Sequence, residues 1–507
     1  MQIFTRIHLL LFLLLFAYPS IGNSKETSTR TDEVREVIEQ ALHAATEVQN
    51  PFFRAKIIDG IASAYIAVGD HKRALELAGM KDNVSRDGTL SAVSNALMEE
   101  GQAHQVGNII SQIADGYWKA SALEKLAQYY LAKGELAAAR ERLNQALKET
   151  ESIRDSYSRT HMMGLIAEAQ AAGGYRADAA ATLQQLMELA LGVEDADMRD
   201  LAFGQVVELQ ALFGNEKEGL RTLERIQDGD RRECGLRDVV SAVARRGNIA
   251  YAVELAESIK SEFNHDFALQ RIAEAQAEAG DFDGALKTAS SIRWGRNSKA
   301  IALGHIADEI RERGGQTSSL SVLRQAAEAA TKISDVRERT RYLGGIARRQ
   351  AEINDRPGAK ESIRQALRIL SADHDKEALD GPLLAIAQAQ GRLGEIADAL
   401  KSAAMMSNSF YQDRAYFQIA KAQAWVGDFQ GALQTAALSH GYDFMWRGYT
   451  LQRIAKIQAH KSDAHRALAW ATSQTISSDR ALALLGVAEG LLSQGTSINN
   501  YPDSFDF

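Results

Sequence analysis

Thirteen times along the chain an apolar residue stands eight positions ahead of a tight-turn residue. The apolar positions are Ile61, Val93, Leu126, Ile166, Val206, Val239, Ile272, Ile306, Ile346, Ile386, Ile419, Ile454 and Val487. The turn positions are Gly69, Gly101, Gly134, Gly174, Gly214, Gly247, Gly280, Gly314, Asn354, Gly394, Gly427, Ser462 and Gly495. An apolar spine at helical spacing that stops at glycine predicts a helix end, because glycine enters the left-handed conformation without strain. A second helical pattern then begins. The unit is plainest in LQRIAEAQAEAGDFDGALKTASSI (269–292) and YFQIAKAQAWVGDFQGALQTAALS (416–439), where Asp281 and Asp428 are placed to cap the second helix. Asn354 tolerates the left-handed geometry, whereas Ser462 predicts a strained or rebuilt turn.

Small residues flank the turns. Ala62, Ala127, Ala167, Ala273, Ala307, Ala347, Ala387, Ala420, Ala455 and Ala488 stand seven positions before them. Ala74, Ala139, Ala179, Ala252, Ala285, Ala359, Ala399, Ala432 and Ala467 stand five positions after. Alanine at these points lets the two helices of a hairpin cross closely, at roughly 8–10 Å between axes. The apolar–small pair, the glycine turn, an aromatic at Phe282 and Phe429 and the alanine behind it resemble the tetratricopeptide repeat, over roughly residues 54 to 495. The family's aromatic midway along the first helix survives at Tyr65 and Tyr130 but is usually absent, and its closing proline is missing, so the repeats are divergent. The resemblance implies an all-α, right-handed superhelical solenoid of about twelve hairpins, non-catalytic, whose first helices line a concave groove that binds protein or peptide.

Successive turns are 32, 33, 40, 40, 33, 33, 34, 40, 40, 33, 35 and 33 residues apart. Turns five units apart are separated by a nearly constant 178 to 182 residues, which reads as a duplicated block of five repeats. Seven added residues are close to two helical turns, so helix phase survives in the longer units.

The ends differ. MQIFTR, an apolar core from Leu9 to Tyr18, Pro19 and the small residues Gly22 and Ser24 predict a signal peptide over 1–24, and hence an extracytoplasmic chain, periplasmic or secreted. Residues 25–30 read as a polar linker and 31–50 as a capping helix. In that helix Thr31 and Asp32 cap a stripe of Val34, Val37, Ile38, Ala41 and Leu42, closed by Pro51. The solenoid is expected over 51–495, ending on a first helix without a second, and 496–507 as a disordered tail.

Composition narrows the function. A charge of −8 argues against general nucleic-acid binding, and the single cysteine, Cys234, rules out an internal disulfide and a cysteine zinc site. His460 and His465 share no helical face. Glu194, Asp195, Asp197 and Asp200 lack the glycine and terminal glutamate of a calcium loop and suit a helix start instead. With no nucleophile, phosphate-loop or dinucleotide signature present, neither cofactor nor metal is expected.

The groove is the better place to look. Six positions before each turn stand Ser63, Asn95, Gln128, Glu168, Glu208, Ser241, Glu274, Asp308, Arg348, Gln388, Lys421, Lys456 and Glu489, acidic in the middle and then basic. Such a row is either a charge-divided groove or a solvated face. Arg341, Arg414 and Arg453 add to the basic end, and 11 of 35 aromatics fall between Phe410 and Trp470. Arg341, Arg348, Arg414, Lys421, Trp425, Trp446, Tyr449, Arg453 and Lys456 are therefore the candidate groove residues. The expected ligand is a protein or peptide. An anionic polysaccharide held by the aromatic and basic repeats is the alternative.

Overall fold

A computed structural model of the chain describes residues 24–80, 86–293, 296–370, 379–439, 446–461 and 463–494. The expected signal peptide, apart from Ser24, the turn residues Ser462 and Gly495, and the tail lie outside these residues. Among the described residues there are 26 α-helices, two short 3-10 turns and no strand.

Each unit is a helical hairpin. Its first helix is usually 17 residues, as in Pro51–Ala67, Ala196–Leu212 and Glu262–Glu278. Every described turn position carries positive φ, ten glycines at 74° to 91° and Asn354 at 63°. The left-handed residue folds the chain back so that the next amide reaches the carbonyl five residues upstream, as Asp281 N does to Gln276 O at 2.8 Å. Asp70, Asn248, Asp281 and Asp428 then cap the second helix by accepting a backbone N–H. The apolar residues eight before the turn and the alanines on either side of it are all buried, most of them completely. Where Ser319 replaces the alanine after the turn, its hydroxyl donates to the Ala307 carbonyl at 2.8 Å, a direct measure of how closely the helices cross.

A polar clamp recurs inside the hairpins. Gln170, Gln210, Gln276, Gln350, Gln390 and Gln423, each four before a turn, accept a bond from Thr182, Thr222, Thr288, Ser362, Ser402 and Thr435 at 2.6–2.8 Å. The amide nitrogens of Gln276 and Gln423 donate to the capping carboxylates Asp281 and Asp428. One side chain thus ties cap, turn and second helix, and its own amide is satisfied in the process. Between repeats, a buried or half-buried carboxylate on one first helix accepts the backbone N–H groups that start the next. Asp87 does so for Ala114 and Asp115, Asp200 for Gln227 and Asp228, and Asp380 for Ser407 and Asn408.

The chain divides into two compact units, one of residues 1–146, 172–174 and 423–507, the other of 147–171 and 175–422. In the second unit, first helices from Ala196–Leu212 to Asp380–Arg392 pack in sequence order, each on the next. In the first unit the order runs through the chain ends. Trp446–His460 packs on Ser477–Leu492, which packs on Pro51–Ala67, then Arg86–Glu99, then Gly116–Ala132.

The two ends depart from the sequence expectation. Helix Ser477–Leu492 is not left as an open half unit, because helix Ser24–Thr46 packs extensively against it and serves as its second helix. That helix begins at Ser24, so Thr31 and Asp32 lie within it rather than at its cap, the stretch from 24 having no residue that breaks a helix. Pro51 opens the following helix instead of closing this one, with Asn50 as N-cap. Val34, Val37, Ile38, Ala41, Ala44 and Ala45 are buried, and Glu47 meets Arg480 and the Ser477 hydroxyl.

Second-helix lengths explain why this pairing fits. From the first repeat they run 8, 5, 14, 16 and 8 residues, then 9, 10, 16, 15 and 9, then 8 and 9. The thirteenth position is third in its block, where both earlier blocks hold a long helix. The 23-residue amino-terminal helix supplies it.

Candidate binding face

The described positions six before the turns lie on first helices, and within a unit such side chains can meet across repeats, as Lys456 meets Glu489 at 3.0 Å. In the second unit the row starts at an acidic recess. Glu168, Glu208 and Asp238 line a cavity of about 490 Å³ together with Tyr157, His161, Gly164, Gly204 and Cys234. The Tyr157 and His161 rings stack at its edge, with centroids 6.4 Å apart. Burial raises the pKa of all three carboxyls, and the repulsion of Glu168 by Glu208, and of Glu208 by Asp238, adds to it. Arg245 opposes the shift from 3.9 Å off Glu208, and Arg237 lies 3.4 Å from Asp238. Arg231 also lines the cavity and pairs with Asp197 at 3.2 Å.

Further along, Glu274 is buried and satisfied by Gln270 and Arg271, both at 2.8 Å. The row then becomes cationic. Arg311, Arg348 and Arg392 converge on Glu352 at 2.9, 3.2 and 3.4 Å. Arg349 and Arg311 lie 2.9 and 3.7 Å from Asp308.

The nine sequence candidates divide between the two units. In the second unit Arg348 sits inside this cluster. Arg341 is paired with Glu338 at 2.7 Å and lies over the Tyr342 ring, while Arg414 and Lys421 are half-buried on helix Ser409–Trp425. In the first unit Trp425 is exposed, with the Lys461 ammonium 5.3 Å from its ring centroid. Lys456 is buried and paired with Glu489 at 3.0 Å, Arg453 is half-buried, and burial raises the Tyr449 pKa.

Trp446 is buried, as are Tyr416 and Phe417, so part of the aromatic concentration belongs to helix packing. Tyr442 and Phe444 lie outside the described residues. Arg311, Arg349 and Arg392 are absent from the sequence row because it sampled one residue per helix. Arg311 and Arg392 stand three and four positions after sampled residues and share their face, whereas Arg349 directly follows Arg348 and reaches Asp308 on the preceding first helix. Exposed rings also recur seventeen positions before the turn, at Phe52, Tyr157, Phe263 and Phe410.

Several other residues singled out in the sequence have structural partners. Asp195 caps helix Ala196–Leu212 by accepting from Met198 N, Asp197 pairs with Arg231, and His460 meets the Ser493 hydroxyl at 3.1 Å.

Paired helices in units of 32 to 40 residues, with left-handed turns and alanine crossings, define an all-α solenoid of divergent tetratricopeptide-like repeats. No protein-family profile matches the chain, and no curated protein matches it. Among solved structures it is similar to Ton1535 from Thermococcus onnurineus NA1, at 15% identity over 72% of this chain and 99% of that one, TM-score 0.29. It is also similar to the pentatricopeptide repeat protein PPR10 from maize, at 14% identity, 96% and 71% coverage and TM-score 0.33. The Cut9–Hcn1 hetero-tetramer of the APC/C gives 12% identity, 88% and 98% coverage and TM-score 0.25. Superpositions this loose add nothing beyond the hairpins themselves.

Proposed function

We propose that the chain is an exported, non-catalytic scaffold that binds a protein or peptide partner lengthwise along its first-helix face. The observation that carries this reading is the division of charge within the second unit. Raised, crowded carboxyls stand at Glu168, Glu208 and Asp238, and converging guanidiniums at Arg311, Arg348, Arg349 and Arg392. A face divided in this way selects a partner whose own charge changes sign along its length. Export rests on the amino-terminal pattern of residues 1–24. No helix among the described residues is long and apolar enough to cross a membrane.

The spacing sets the ligand length. Four repeat steps separate the first helices Ala196–Leu212 and Val336–Glu352. At roughly 8–10 Å per step this is about 32–40 Å, or about 10–12 extended residues. The test is fluorescence anisotropy with a peptide carrying a lysine block and a glutamate block separated by that many neutral residues. A peptide of equal composition with alternating charges is the comparison. The blocked peptide should bind at least tenfold tighter, with affinity falling as salt rises. Equal affinity for both would refute the reading.

The exposed rings at Tyr157, Phe263 and Phe410, all in the second unit, favour a second reading, a polysaccharide stacked on the first-turn edge of its repeats. Binding of anionic oligosaccharides in preference to both peptides would support it.

A further inference from the structure

We propose that the arginine cluster formed by helices Arg296–Glu312, Val336–Glu352 and Asp380–Arg392 is an oxyanion site that receives the acidic segment of the peptide partner; the identity of that partner rests on the function proposed above.

The cluster contains four guanidiniums and two carboxylates, so its own balance is two positive charges. Elsewhere on the molecule, ion pairs such as Lys360–Glu395 and Arg246–Glu216 match one cation to one carboxylate. Glu352, with its side chain only 18% exposed, is shared by Arg311, Arg348 and Arg392 from three successive first helices. The arginines are the more accessible partners, at 30–41%.

Glu352 is less exposed than the three arginines it holds, whereas Asp308, at 29%, is as accessible as Arg349 and Arg311. The cations face outward with donors to spare, because each has five N–H groups and the carboxylate contacts occupy one or two nitrogens. A planar donor set fixed before the ligand arrives suits carboxylate or phosphoryl oxygens and loses little side-chain freedom on binding.

The probe is a fluorescein-labelled octaglutamate peptide, titrated by anisotropy into the chain from residue 24 onward. Saturable binding is expected, weakened at least tenfold by Arg349→Gln and by Arg392→Gln with the helical circular dichroism unchanged. Arg364→Gln, at an exposed pair with Glu361 on a second helix, should leave it unaltered. Competition by a phosphoserine peptide would show that phosphoryl oxygens fit the same donors.

Absence of octaglutamate binding, or equal binding by wild type and both variants, would overturn the site. Binding of a sulfated oligosaccharide without octaglutamate would overturn the peptide as its source. Octaglutamate binding lost in Arg392→Gln, alongside no preference for the blocked peptide, would sink the charge-divided reading and leave this site standing. The reverse pair of results would sink this site alone.

Discussion

Replacing Ile38 by alanine should loosen a helix more than four hundred residues away in the chain. Ile38 is fully buried on helix Ser24–Thr46, which packs against Ser477–Leu492 and Pro51–Ala67. The substitution removes three carbons at about 0.8 kcal/mol each, and the cavity left behind brings the loss to about 3 kcal/mol. That corresponds to roughly a hundredfold shift in the local opening equilibrium. Hydrogen exchange followed by mass spectrometry reads this directly. Amides of 24–67 and of 477–492 should exchange about a hundredfold faster, while those of 262–291, in the other unit, keep their protection. If 477–492 stays protected while 24–46 loosens, the two chain ends do not form one hairpin and the reasoning fails.

Other outcomes follow from the same contacts. Gln276→Ala strands the Thr288 hydroxyl and removes a partner of Asp281, costing about 1–3 kcal/mol, read as faster exchange over 262–291. Gln276→Leu combined with Thr288→Val should recover part of that loss, since the stranded hydroxyl is gone and only the Asp281 contact stays missing. Gly486→Ala drives a Cβ into the Gln452 carbonyl oxygen, which belongs to backbone and cannot swing aside. It should lower the denaturation midpoint by the equivalent of about 1–3 kcal/mol in spite of alanine's better helix propensity. The acidic recess predicts a pH dependence. The folded-state pKa values of Glu168, Glu208 and Asp238 lie above their ordinary values, so these groups oppose folding at neutral pH. That penalty is relieved as pH falls through the raised values. An octalysine peptide should lose affinity over the same interval, before ordinary carboxylates titrate, and Glu168→Gln should flatten the profile. An unchanged affinity down to the ordinary carboxylate range would contradict this.

The hairpins were legible because their determinants are local. An apolar residue, an alanine and a glycine within eight positions fix one helix end, and Asp281 or Asp428 starts the next. The row six before the turn also placed Glu168, Glu208 and Arg348 correctly on first helices. What escaped was non-local or looked ordinary. Gln276 and its counterparts read as surface polar residues, because nothing in the sequence near them announces a hydroxyl twelve positions on. Arg311, Arg349 and Arg392 lay outside a row that sampled one register. Trp446 looked like an exposed contact residue, yet it is buried. The partner of helix Ser24–Thr46 lies at the far end of the chain, where no spacing rule reaches. Only the five-unit order of helix lengths carried a trace of it.

The contact between Glu47 and Arg480 spans 433 positions, whereas the glutamine clamp spans 12. Closing the longer loop in an otherwise unfolded chain costs about 3 kcal/mol more entropy. During synthesis, Val34, Val37 and Ile38 leave the ribosome near the beginning, and the surface that shelters them is made near the end. Pro51–Ala67 can cover part of that apolar stripe at once, but a nascent chain halted anywhere upstream of Ser477 would leave the part that faces Ser477–Leu492 bare.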